Sequence, residues 1–293
     1  MMNDAAHAAP PGDTPERSIL HSVLIHSLLI GVSVLMLYPL LWMVSGSVRP
    51  ADDMFGGQTS LIPSQVTLQA YKTGWFGLQV SFGTFFLNSL AISVLATIGN
   101  VMAASVTAFA FSRLEFFGKS FWFALMLGTL MLPYHVTLIP QYVLFLKMDW
   151  VNTWLPLVVP KYFAVDAFFI FLMVQFFRGL PRELDEAAMM DGCSAWRIYW
   201  KIVLPLSLPV LATAAIFSFI WTWDDFFGPL LYLTDVANYT VPLALRGFVD
   251  ATSRSSWGPL FAMSVLSLVP VFAAFLMFQR HIIEGIAASG LKR

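Results

Sequence analysis

Gly179-Leu180-Pro181-Arg182-Glu183-Leu184-Asp185-Glu186-Ala187-Ala188-Met189-Met190-Asp191-Gly192, running on through Cys193 and Lys201 to Ile202-Val203-Leu204-Pro205, stands out from an otherwise apolar chain. Pro181 suits the first turn of a helix, and Glu183, Asp185 and Glu186 complement a helix N-terminus. Leu184, Ala187 and Ala188 fall on one face, and Asp191-Gly192 ends the helix. Ala195, Trp196, Ile198, Tyr199 and Ile202 form a second apolar stripe at helical spacing. Two short amphipathic helices joined at a glycine make a stiff knuckle. Its small residues, Ala187, Ala188 and Gly192, allow another protein to approach closely. A helix resting on lipid headgroups is the competing reading, but such helices favour Lys and Arg on the polar face, and this front half is acidic.

On both sides of the knuckle the chain is built for lipid. Of 293 residues, 58% are apolar and 11% charged, with a mean hydropathy of +0.74. Average soluble domains carry ~25% charged residues. A spanning helix needs about 20 mostly apolar residues, and six stretches qualify: Leu20 to Ser47, Thr84 to Phe111, Ser120 to Leu146, Pro156 to Phe177, Pro205 to Leu233, and Pro259 to Ile283. Backbone groups in lipid must be paired internally, so these are expected to be helices. Pro133, Pro140 and Pro270 interrupt them as packing kinks or hinges. The expected fold is an all-α integral membrane protein with six transmembrane helices. Residues 1–19 form a polar tail, 20–293 the transmembrane domain, and 178–205 its knuckle. The tail is not a signal peptide, because no basic segment precedes the first apolar run.

Charge sets the orientation. With the N-terminus inside, ten of the 16 Lys and Arg residues fall on inner segments and six on outer ones, which favours both termini in the cytoplasm. The long outer loops run from Arg49 to Phe82 and from Thr234 to Gly258. A net charge of −1 offers no basic field for nucleic acid. The lone Cys193 forms no internal disulfide, and no His-Glu-x-x-His or phosphate-cradling Gly-x4-Gly-Lys-Ser/Thr pattern occurs. His281 and Glu284 share a helix face, but two groups do not make a metal site. No paired catalytic constellation is legible.

Three residues are candidates for a solute pathway: Asp166, Trp223 and Asp224. Asp166 lies 11 positions before Phe177, about 16 Å from the inner end of its span at ~1.5 Å per residue, and an acid at that depth is a functional candidate by default. A structural partner on a neighbouring helix is the alternative. Lys161, five positions away on an ideal helix, would lie about 140° round from it. Asp224 and Asp225 fall at the outer end of the fifth span beside Trp221, Trp223, Phe226 and Phe227. They read either as an outer gate or as solvated acids beside an interfacial aromatic belt.

Glu-Ala-Ala, three residues, Gly, nine residues, Ile-x-Leu-Pro resembles the loop signature of membrane subunits of binding-protein-dependent ATP-binding cassette importers. Glu186, Ala187, Ala188, Gly192, Ile202, Leu204 and Pro205 match it at every fixed position, with Asp191 beside them. Met131-Leu132-Pro133, Ile139-Pro140, Trp221-Thr222-Trp223-Asp224, Pro229-Leu230-Leu231 and the stretch Gln279 to Ile286 are similar to the carbohydrate branch, in particular its maltose-type second permease subunit. The resemblance implies a type I importer permease fold in a bacterial inner membrane. It implies a second permease subunit, two ATP-binding subunits, an extracytoplasmic solute-binding protein and a carbohydrate substrate. ATP and Mg would be held by the ATPase partner and no cofactor by this chain. Glu186 would pair with a basic ATPase residue, and Gly192 would permit the turn. A glycerophosphodiester or polyol importer remains open as substrate class. An ion-coupled secondary transporter would instead need internal repeats and a midplane ion site; no convincing repeat relates the halves.

Overall fold

The computed structural model describes residues 19–50, 53, 61–249 and 256–290, and all regular structure among them is helical. In chain order the helices are α1 (Ile19–Ser47), α2 (Gln69–Phe76), α3 (Phe82–Arg113), α4 (Lys119–Thr129), α5 (Tyr134–Lys147), α6 (Leu155–Val158), α7 (Ala167–Arg178), α8 (Glu183–Met190), α9 (Ala195–Ile198), α10 (Leu204–Leu206), α11 (Leu208–Trp223), α12 (Phe227–Tyr232), α13 (Val241–Leu245) and α14 (Trp257–Gly290). Short 3-10 turns and one π-turn, Tyr199–Val203, join several of them. The tail up to residue 18, Gly56-Gly57, Asp250, Arg254 and the side chains of His281 and Glu284 lie outside the described residues.

The centre of the bundle is α3, packed between α7 and α11. One side of it carries small and polar residues, among them Ser89, Ser93, Ala96, Gly99, Asn100, Ala104, Ser105 and Ala108. Such a side lets neighbouring helices approach where lipid offers no hydrophobic drive. Gly99 shows why: a Cβ there would collide with the Tyr162 ring, whose Oη donates to the Leu95 carbonyl at 3.1 Å. Asn100 Nδ2 donates to Ser218 Oγ at 3.0 Å, tying α3 to α11. Helix α14 closes the other flank, with Trp42 of α1 edge-on to Phe261 at 5.3 Å. Exposed apolar side chains such as Leu24, Leu28, Leu35 and Leu41 cover α1, as expected of a helix facing lipid or a partner.

Four helical stretches among the described residues are long and apolar enough to cross a membrane: His21–Ser47, Phe82–Arg113, Leu155–Arg178 and Trp257–Met277. A fifth is bent by 77° between Ala195–Leu206 and Leu208–Trp223. The bend falls at Ser207, between Pro205 and Pro209, neither of which has an amide to continue the ladder. The expected third span, Ser120 to Leu146, is not one helix. It is split into α4, of 11 residues, and α5, of 14. Pro133 disfavours helical backbone at Leu132, so the chain turns before α5 restarts. The expected fifth span is also shorter, since α11 ends at Trp223 and α12 follows a three-residue turn.

Candidate functional site

The knuckle folds as its sequence requires. Glu183, Asp185 and Glu186 occupy the first turn of α8. Gly192 takes φ +76° and donates its amide to the Met189 carbonyl at 3.0 Å, while Cys193 N donates to the Ala188 carbonyl at 2.9 Å. These bonds cap α8 and reverse the chain, the role for which a residue lacking Cβ is favoured. Ser194 Oγ then accepts from Arg197 N at 3.4 Å to start α9. Ala188, Ile198, Tyr199 and Val203 are buried against Phe109 of α3 and Phe177 of α7. Glu186, Ala187, Met189, Met190, Asp191 and Trp196 remain exposed, so the outward face mixes one carboxylate pair with an apolar surface. Ile202 and Leu204 are partly buried against the same core, and Pro205 is exposed at the approach to the bend.

Asp185 keeps its expected place in the first turn of α8 and has a further partner that the sequence did not show. It is buried, with Oδ2 at 3.1 Å from Nε of Arg113, the last residue of α3. Arg113 Nη2 also donates to the Leu180 carbonyl at 3.1 Å. Higher on the same helix, Ser105 Oγ and Tyr199 Oη are 2.7 Å apart. No spacing rule pairs residues so far apart in sequence, so these contacts were illegible there.

The second site is a cavity of about 800 Å³ whose walls include Gln141 of α5, Lys161, Asp166, Phe168 of α7, Trp221 of α11 and Asp225. Lys161 Nζ donates to Asp166 Oδ2 at 2.8 Å. The helix-wheel expectation that kept these two apart is therefore corrected. Residues Val159–Phe163 form a 3-10 turn, and Ala164 sits at φ 55°. That left-handed residue interrupts the regular helix between them, so the ideal 100° step does not apply and the two charges meet. Asp225 Oδ1 accepts the Gly228 amide at 3.2 Å, holding the start of α12.

Of the three candidates, Asp166 lines this cavity, whereas Asp224 is exposed and outside its lining. Trp223 is only 2% exposed, with Nε1 donating to the Ser267 carbonyl of α14 at 3.1 Å and its ring against Phe86 and Phe219. It packs the core behind the wall. Two positions on a helix are about 200° apart, and it is Trp221 that faces the cavity. Asp225 and Lys161 belong beside Asp166, and the general cost of burying charge in a membrane was the signal that could have grouped them.

Lipid-spanning helices, a capped knuckle at one end and a charged, aromatic-walled cavity within define a membrane transport component. Among the described residues no cluster of three or more His, Cys, Asp or Glu could hold a metal. The family described as binding-protein-dependent transport system inner membrane component matches residues 100–286, and the chain belongs to it. It is thus a non-catalytic, multi-pass inner-membrane subunit. The arabinooligosaccharides transport system permease protein AraQ of Halalkalibacterium halodurans is 33% identical over 265 residues, covering 89% of this chain and 93% of that one. The trehalose/maltose transport system permease protein MalG of Thermococcus litoralis is 32% identical, covering 89% and 93%. A solved bacterial ABC transporter involved in the import of the acidic polysaccharide alginate contains a chain that superposes with a TM-score of 0.80. It is 22% identical and the match covers 93% of this chain and 99% of that one, so the two share a fold.

Proposed function

We infer that this chain is one permease half of an ATP-driven, binding-protein-dependent importer of oligosaccharides. The observation that carries the reading is the knuckle: every fixed position of the importer loop signature is present, and the residues between them form a helix closed at Gly192 with one exposed face. Relatives that import arabino-oligosaccharides and maltose or trehalose support the substrate class. The domain would cross the membrane six times, with α4 and α5 together making the third crossing around Leu130–Pro133. Ten inner against six outer basic residues support cytoplasmic termini.

In this reading a second, different permease subunit completes the pathway, and two ATPase subunits, which hold ATP and Mg, sit beneath. The exposed face of α8 and Gly192 enters a cleft in one ATPase, with Glu186 against a basic residue there. Closure of the ATPase pair then rocks the bundle between two discrete arrangements. The solute would pass the cavity walled by Asp166, Lys161, Asp225 and Trp221, with Asp224 at its approach and Trp223 supporting the wall from within. Hydroxyl groups can exchange hydrogen bonds with the charged side chains while a sugar ring lies on the indole face.

The test is co-purification of the tagged chain from its native membrane, followed by ATPase assays with sugar-loaded binding proteins and uptake into vesicles. Recovery of an ATPase and a second permease, with sugar-stimulated hydrolysis, is expected. A chain that purifies alone and drives uptake from an ion gradient without ATP would refute the reading.

A further inference from the structure

The central helix α3 is fastened at both ends by polar contacts. At the knuckle end, Arg113 and Asp185 form an ion pair whose side chains are 6% and 12% exposed. Ser105 and Tyr199 add a hydrogen bond to the π-turn at 2.7 Å. At the far end, Asn88 Nδ2 donates to the carbonyls of Ala237 and Tyr239 at 2.8 and 3.0 Å, and Ser89 Oγ accepts the Val241 amide at 2.7 Å. Within this 32-residue helix, the 24 steps from Ser89 to Arg113 put about 36 Å between the two fastenings at ~1.5 Å per residue. Segment 236–245, gripped by the far end, borders a separate cavity of about 410 Å³ with Phe85 of α3.

The ion pair has an unusual geometry for a weld. Arg113 Nε is close to Asp185 Oδ2, yet its N–H makes no aligned hydrogen bond, and Asp185 Oδ1 accepts none among the described residues. A cavity of about 180 Å³ opens beside the pair, lined by Arg182, Met189 and Cys193 among others. The guanidinium is itself anchored by Nη2 to the Leu180 carbonyl, so the freedom lies on the Asp185 side, where Coulomb attraction holds the carboxylate without fixing an angle and the void leaves α8 room to turn.

The geometry points to Arg113 and Asp185 as positioning residues that form a pivot between α8 and α3, with α3 carrying the motion of the knuckle to segment 236–245 on the opposite face. This rests on the importer reading above. An alternative route through α11 would run through the bend at Ser207, where the helix ladder is interrupted. The unbroken α3 is the stiffer path.

The assembled importer, reconstituted in vesicles, tests this by solute transported per ATP hydrolysed and by stimulation of hydrolysis on adding loaded binding protein. Arg113→Met is expected to retain the ATPase in the purified complex and to lower both ratios about fivefold or more, the scale of an ordinary coupling loss. Exchanging the charges, with Arg113→Asp and Asp185→Arg together, is expected to recover most of the loss. Ser105→Ala, which removes one hydrogen bond and no charge, gives a smaller fall in the same direction and serves if the exchanged pair does not assemble. Unchanged ratios in Arg113→Met and Ser105→Ala would overturn the pivot. So would loss of the ATPase from the Arg113→Met complex, since the pair would then shape the docking face. A wild-type complex without any ATPase would instead sink the importer reading itself.

Discussion

Replacing Gly192 by Asp separates folding from coupling. The residue sits at φ +76°, a region that costs a side-chain-bearing residue about 1–2 kcal/mol and Asp somewhat less. A Cβ placed there meets no atom within 4 Å, so the backbone term is the whole folding cost. Against a typical stability of about 5–15 kcal/mol that is tolerable, and the variant is expected to insert and purify as a monodisperse complex component. The added carboxylate, however, projects from the outermost turn of the knuckle, beside Asp191 and the exposed Met190. Docked against a protein, it would be desolvated without a partner, at a cost of several kcal/mol. Uptake into vesicles and sugar-stimulated ATPase activity are the assays, with Gly192→Ala as the control for backbone strain. Gly192→Ala should retain most activity and Gly192→Asp lose coupling. Wild-type uptake in Gly192→Asp would refute the reasoning.

Trp221→Ala should lower solute uptake with little change in thermal stability, whereas Trp223→Ala should destabilise by about 3–5 kcal/mol, read as a drop in Tm of the purified complex. Lys161→Gln alone leaves Asp166 without its ion partner, so it should reduce the Tm more than Lys161→Gln combined with Asp166→Asn; equal effects would show that the pair is not coupled. Gly99→Ala forces the Tyr162 ring aside and should cost about 1–3 kcal/mol; adding Tyr162→Ala should cost less than the sum of the two single changes. Asn88→Ala removes two hydrogen bonds to segment 236–239, and limited proteolysis should then cut that segment faster while sparing the knuckle.

The long spans and the knuckle were legible because each is decided locally, by apolar length in α1, α3 and α14 and by acids, a breaker and a stripe in α8 and α9. In the third span the interruption at Pro133 was legible, but hydropathy counts residues and does not tell a kink from the full break that keeps the helix from running through Leu132. The Lys161–Asp166 pair was hidden because a helical wheel assumes a helix, and Ala164 is left-handed. Asp185 was legible as an acid of the first helical turn, but its pairing with Arg113 depends on the packing of α3 onto the knuckle. Trp221 and Trp223 differ by half a turn at one helix end, where the sequence offers no way to tell the cavity face from the core face. Local rules hold where local forces decide, and pairings made across the bundle lie beyond them.

The central claim is that the knuckle is the contact to an ATPase. A photoreactive side chain at Met190, 89% exposed on α8, can be irradiated in native membranes beside one at Leu28, 69% exposed on α1. The account predicts that the Met190 probe gives one dominant protein adduct containing an ATP-binding subunit, lost in the Gly192→Asp background, while the Leu28 probe does not capture that subunit. Adducts with lipid alone at Met190 would contradict it, and the knuckle would be a surface helix.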